Sequence, residues 1–271
     1  MQTTTTNNES VLVLRACNSD MSSKNGFIWP TSGPVECPDW KPTNECGNGL
    51  HGWPHGHGDG GTSRYWVDDC KWLVVEVKTK HIIDLDGKVK FKKGTVVFCG
   101  DQKAAIDYLL ANDHIASTKP VIGAMITTGD HGTSVSGDYG TSTSGIRGTS
   151  ISGDYGTSTS GDDGTSTSGY GGTSIAGDYG TSTSGDRGTS TSGNCGTSTS
   201  GYNGKSTSGN CGTSTSGRYG KSTSGENGTI IIKYCKNGRY YSKVGHIGED
   251  GLEPNVAYKL DEKHNFIEVI A

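Results

Sequence analysis

The sequence predicts a mainly β protein: a two-sided β-solenoid with an N-terminal α+β domain and a small C-terminal β cap. Three observations carry this. Residues 129–232 form thirteen octads in the frame Gly-x-x-Gly-Thr-Ser-Thr-Ser, with glycine at positions 1 and 4 of every one. The preceding 117 residues, 11–127, hold apolar runs of strand length and one amphipathic run. After residue 232, short alternating segments follow turn dipeptides at Asn237-Gly238 and Asp250-Gly251.

Composition separates the repeat from its flanks. From residue 129 to 228 there is no Leu, Met, Phe or Trp, so this stretch builds no ordinary hydrophobic core. A Gly/Ser-rich linker has no reason to keep register, and this segment keeps it strictly. The Gly-x-x-Gly half of each octad reads as a turn, with glycine supplying positive φ and Asp or Asn favouring bends. The Thr-Ser-Thr-Ser half reads as a short strand with alternating faces.

Substitutions assign the faces. Position 5 becomes Lys205 and Lys221, so it faces water; position 7 shares its parity and is Thr, Val135, Ile151 or Ile175. Positions 6 and 8 stay Ser, or Ala176, until the last octad, which predicts a thin serine interior whose hydroxyls serve one another or the backbone. Eight residues are too few to close a coil. Cys195 and Cys211, Lys205 and Lys221, and Val135 and Ile151 are each sixteen apart, so two octads make one coil and thirteen make six and a half. At about 4.8 Å per strand the rod is roughly 30 Å long.

The flanks follow. Residues 1–10 read as a disordered polar tail without signal-peptide character, and no apolar run is long enough to span a membrane. The default localisation is therefore cytoplasmic, with a cell or virion surface left open. VLVLR (11–15), WLVVEV (72–77) and TVVFC (95–99) read as strands and KAAIDYLLA (103–111) as a helix; residues 22–69 read as irregular. Residues 233–271 form the C-terminal hairpin cap, with Ile230, Ile231 and Ile232 supplying apolar contact where it joins.

Candidate chemistry lies in three places. Cys46, His51, His55, His57 and Asp59 offer thiolate, imidazole and carboxylate at short spacing, a zinc-type donor set, though no CxxC or HExxH accompanies them. Cys195 and Cys211, on adjacent coils, are a candidate disulfide. Tyr139, Tyr155, Tyr170, Tyr179, Tyr202 and Tyr219 recur at turns, where stacking along an edge would suit a protein partner or an edge-paired dimer; otherwise the rod is a monomer. The repeat holds eight acidic and five basic residues, a net of −3, and no basic stripe, so neither DNA mimicry nor nucleic-acid binding is indicated. No catalytic residues are assigned in the repeat.

The repeat resembles that of bacterial ice nucleation proteins: GDYGTSTSG aligns with their AGYGSTxTA-like octads, and Thr141-Ser142-Thr143 matches their Thr-x-Thr step. The resemblance implies an outward water-ordering face of Thr141, Thr143, Thr157, Thr159, Thr165, Thr167, Thr181, Thr183, Thr189, Thr191, Thr197, Thr199, Thr213 and Thr215, with ice or water as its partner. The flanks, with CGNGLHG (46–52) and GEDGLEPNVAY (248–258), are similar to uncharacterised phage and bacterial repeat proteins. Arg15, Asn25-Gly26-Phe27 and Gly47–His51 before a strand resemble the order in mono-ADP-ribosyltransferase folds, which would imply an NAD-holding site; Glu76 is the nearest candidate for a catalytic glutamate. Three classes follow: a non-enzymatic ice- or water-ordering rod, a structural or protein-interaction rod such as a phage or surface fibre component, and an N-terminal enzyme domain.

Overall fold

The structure, a computed structural model, describes residues 9–66 and 69–270, together with the backbone but not the side chain of Asn25. Most of the tail expected at 1–10 lies outside the described residues; Ser10 already belongs to a strand. The chain forms two compact units, Met1–Ala124 and Met125–Ala271.

The first unit is built on β1 (Ser10–Cys17), β2 (Gly33–Glu36), β3 (Leu50–Pro54), β4 (Lys71–Lys78), β5 (Ile82–Asp84), β6 (Val89–Phe91) and β7 (Lys93–Gly100). They make one antiparallel sheet in the order β2-β7-β4-β1-β3-β6-β5. Helix α1 (Gln102–Asn112) packs against β4, with Asp101 capping its N-terminus through the Ala104 N–H. Both faces of the central strands are buried, which is why WLVVEV is nearly continuous in apolar character. Val13, Leu73, Val75 and Val77 join Trp29, Phe91 and Val96 on one side. By strand parity Leu14, Trp72 and Val74 take the other side. The segment 22–69 is more ordered than its Gly/Pro content suggests, because β2 and β3 add to the sheet through main-chain pairing that needs no apolar periodicity.

In the second unit every octad contributes one strand, and strands sixteen residues apart pair in parallel and in register: Thr141 with Thr157, Thr149 with Thr165, Lys205 with Lys221. Alternate octads feed two opposed sheets. The strand Met125–Thr127 pairs with Thr141–Thr143 and adds half a coil before the octad frame begins, giving about seven coils.

The interior is serine. All position-6 serines from Ser134 to Ser222 are fully buried, and those at position 8 are nearly so. Position-6 hydroxyls zigzag between the sheets: Ser150 donates to the Ser142 carbonyl oxygen at 2.6 Å, Ser158 to that of Ser150, Ser166 to that of Ser158. Position 8 behaves differently from expectation. From Ser136 to Ser200 the position-8 serines bury hydroxyls that meet no hydrogen-bond partner, whereas Ser208, Ser216 and Ser224 near the cap are paired. They sit under the turns, where a Cβ at the following position-4 glycine would lie 2.6 Å from Ser144 Cβ and 2.7 Å from Ser152 Cβ. Smallness, not hydroxyl pairing, selects serine there.

The glycines also have a different cause. Positive φ falls at position 3, on Tyr139, Arg147, Cys195 and their equivalents at φ 53–62°, and in one octad on Gly171. A non-glycine residue pays roughly 1–2 kcal/mol there; the stack offsets it, since from His131 to Cys211 the position-3 N–H donates to the position-2 carbonyl of the next coil, as Tyr139 does to Asp154 at 2.8 Å. Position 1 is glycine because coils approach too closely for a side chain: a Cβ on Gly145 would lie 2.2 Å from Asp130 Oδ1, and one on Gly217 2.5 Å from the Gly201 carbonyl.

The last octad extends into the strand Thr229–Lys236, which pairs antiparallel with Arg239–His246 and ends one sheet; Tyr258–Leu260 pairs antiparallel with the last strand of the other. Ile230 and Ile232 are buried where serine stood, while Ile231 keeps outward parity. Ile230, Ile247, Leu252 and Tyr258 form the small core of this cap.

Candidate functional site

Outward threonines lie on two opposed faces, not one. Thr141, Thr143, Thr157, Thr159, Thr189 and Thr191 belong to one sheet; Thr165, Thr167, Thr181, Thr183, Thr197, Thr199, Thr213 and Thr215 belong to the other. The first face is interrupted by Ile175 between its second and third threonine strands and ends in stacked Lys205 and Lys221. The second carries four consecutive Thr-x-Thr strands in register, with Thr165, Thr181 and Thr197 exposed and the remaining five partly so. Along a strand these threonines repeat at about 6.5–7 Å and between strands at about 4.8 Å. None of the eight positions is titratable.

The turns are stapled by a ladder that the octad alone does not reveal. Position-2 side-chain oxygens, carboxylate or amide, accept the backbone N–H of the equivalent residue one coil on: Asp162 from Asp178 at 2.9 Å, Asp178 from Asn194 at 2.7 Å, Asn194 from Asn210 at 3.0 Å. This is why Asp and Asn dominate there. Of the six turn tyrosines, five share one edge. Tyr139 stacks on Tyr155 at 5.1 Å, Tyr155 meets Tyr170 edge-on, Arg187 lies over Tyr170, and Tyr202 meets Tyr219. Tyr179 falls on the opposite edge and is exposed. Cys195 and Cys211 are exposed free thiols in neighbouring turns, with no disulfide between them.

The cysteine–histidine loop of the first unit does not converge. His55 Nδ1 meets Asp113 Oδ2 at 2.7 Å, His57 Nε2 meets the Ala116 carbonyl at 3.0 Å, and Asp59 accepts the Gly61 N–H at 2.8 Å. Cys46 is exposed, and His51 sits apart beside Gly47. Among the described residues no three such side chains gather as metal ligands. The glycines between them turn successive donors in different directions, and the three histidines and Asp59 each meet a partner in their own neighbourhood.

Arg15, Gly26, Phe27 and the 47–51 loop do line one cavity, of about 760 Å³. Glu76 does not: on β4 it shares parity with Trp72 and Val74, on the face away from Arg15, and it accepts the Ser10 hydroxyl at 2.6 Å. The side chain of Asn25 lies outside the described residues. The cavity thus has an arginine but no glutamate from β4, and the enzyme reading loses its candidate catalytic residue. His51, on the cavity wall, is pushed down to about 4 by burial and then by the Arg15 charge, so it is neutral near pH 7.

Residues 11–107 match a domain of unknown function, DUF7666. Part of the chain is similar to the ice nucleation protein of Xanthomonas campestris pv. translucens, 41% identical over 106 residues, 38% of this chain and 7% of that protein. It is likewise similar to the ice nucleation protein InaU of Pantoea ananas, 35% identical over 115 residues (41% and 11%), and to that of Pseudomonas syringae pv. syringae, 39% over 109 residues (39% and 9%). The chain therefore matches about a tenth of the length of these relatives. No solved structure matches it. Among the described residues no helix is long and apolar enough to cross a membrane. The repeat region, with its sixteen-residue coils and outward Thr-x-Thr steps, resembles the repeats of bacterial ice nucleation proteins.

Proposed function

We propose that this chain is a non-enzymatic repeat protein whose outward threonine arrays order water and bind ice. The observation that carries the reading is the run of four strands bearing Thr165/Thr167, Thr181/Thr183, Thr197/Thr199 and Thr213/Thr215 in register. Each threonine offers a methyl and a hydroxyl on a backbone fixed by ladders on both sides, so the array is preorganised and loses little conformational entropy on contact with ordered water. Similarity to ice nucleation proteins supports the same reading.

Size sets the expected strength. Four strands span about 14 Å across the sheet and one Thr-x-Thr step about 7 Å along it. A template that small holds few water molecules, so the expected activity is adsorption to ice with weak nucleation. The test is thermal hysteresis and droplet freezing with purified protein. Hysteresis that Thr181→Lys with Thr197→Lys abolishes supports the reading; wild-type protein indistinguishable from an inert protein in both assays refutes it.

A further inference from the structure

The hairpin 229–246 carries chemistry that the threonine arrays do not use. Its second strand, Arg239–His246, ends an eight-stranded sheet and pairs only with Thr229–Lys236. Hydrogen bonding alternates along an antiparallel ladder. The two-residue turn at Asn237 and Gly238, φ 51° and 75°, makes Lys236 and Arg239 a bonded pair. Arg239, Tyr241 and Lys243 therefore aim their N–H and C=O groups at the paired strand, and Tyr240, Ser242 and Val244 aim theirs at the open edge. Among the described residues nothing pairs with those groups on that side. An exposed edge of eight residues is a template for another strand, which native folds ordinarily shorten, cover or twist away.

The side chains decide which strand fits. Residues 229–246 hold Lys233, Lys236, Arg239 and Lys243 and no carboxylate. All four cations are exposed, and among the described residues none is in an ion pair. Arg239 and Lys243 share one face of the strand about 13 Å apart, with Tyr241 between them. Tyr241 stacks on Tyr234, which stacks in turn on His264, so this part of the hairpin is held in place. Tyr240 and Val244 lie on the other face, 75% and 48% exposed. A second copy of this edge would set four cations against four, the repulsion by which charged edges keep like strands apart. A nucleic-acid or lipid surface supplies negative charge but no row of N–H and C=O groups to match the edge. An acidic strand supplies both.

We propose that the open edge of Arg239–His246 docks an acidic, extended segment of a protein partner, which adds a ninth strand to this sheet. Carboxylates four residues apart on that segment meet Arg239 and Lys243, and apolar residues on its alternate face meet Tyr240 and Val244.

The test is fluorescence anisotropy of the labelled peptide Val-Glu-Thr-Tyr-Val-Glu titrated with the full chain. Laid antiparallel, it sets its glutamates opposite Lys243 and Arg239 and its valines opposite Val244 and Tyr240. Expected is saturable binding that Arg239→Glu with Lys243→Glu weakens at least tenfold. Both substituted residues are exposed, and the variant should bind Val-Lys-Thr-Tyr-Val-Lys better than the wild type does. Proline in place of the peptide's threonine keeps both charges but removes the N–H that the Ser242 carbonyl would accept, and should weaken binding several-fold. That comparison uses wild-type protein and stands whether or not the variant folds. Absence of saturable binding overturns the proposal. So does equal affinity for the proline peptide, equal affinity for a thymidine oligonucleotide, or self-association of the wild type that sedimentation shows the variant to lose.

Discussion

Ser158 donates its hydroxyl to the carbonyl oxygen of Ser150 at 2.6 Å, and the two residues lie on opposite sheets of the solenoid. That bond is one rung of a chain that links the position-6 serines from Ser134 to Ser206, and over those coils it divides the two serine positions of the octad by energetics. Ser158→Ala removes a satisfied buried donor and is expected to lower stability by about 1 kcal/mol. Ser160 is equally buried but its hydroxyl has no partner, so Ser160→Ala should be neutral or stabilising. The chain already carries that substitution at Ala176. Urea denaturation of the two variants side by side checks this; equal losses would contradict the assignment.

The turn ladder makes its own claim. Asp178 both receives the Asn194 N–H and donates its own N–H to Asp162. Asp178→Asn should be tolerated, since Asn194 and Asn210 serve the same lane. Asp178→Ala should cost about 1 kcal/mol, because the Asn194 N–H then lacks its side-chain acceptor. Thermal melts of both variants give the comparison.

His51 sets a pH dependence in the first unit. Burial, and then Arg15, hold its folded pKa near 4, whereas the unfolded chain protonates it near its ordinary value of about 6.5. Between those values the unfolded state binds more protons, so this contribution to stability is full above about pH 6.5 and is lost as pH falls toward 4. His51→Asn should flatten the melting-temperature profile in that window. In an NMR titration the imidazole resonance of His51 should not move until well below pH 6, and Arg15→Gln should raise its midpoint.

Much of the solenoid was legible in the sequence because its rules are local and repeated. Lys205 and Lys221 marked the outward parity, and with Cys195 and Cys211 they marked the sixteen-residue coil. What was hidden belongs to the stack and not to the octad. That Tyr139 or Arg147 would take positive φ while the glycines beside them would not follows from carbonyls one coil away. The division of the threonines between two faces follows from the same alternation, yet is invisible while the octads are read as equivalent. In the first unit Arg15, Phe27 and the 47–51 loop were picked out together and do line one cavity. Trp29, Arg64 and Tyr65 were missed because they come from an aperiodic segment, where only the folded sheet brings them beside Arg15. The histidines drew attention by spacing, and spacing in a glycine-rich loop does not fix direction.

The two threonine faces supply the most direct test of the functional account. Thr181→Lys with Thr197→Lys places two charges in the uninterrupted array; Thr157→Lys with Thr189→Lys places two on the face that already carries Lys205 and Lys221. All four positions point outward, so both variants should fold alike by circular dichroism. Thermal hysteresis measured on the wild type and both variants is expected to vanish for the first pair and persist for the second. Loss of hysteresis in neither variant, or equal loss in both, would contradict the assignment of ice binding to that face.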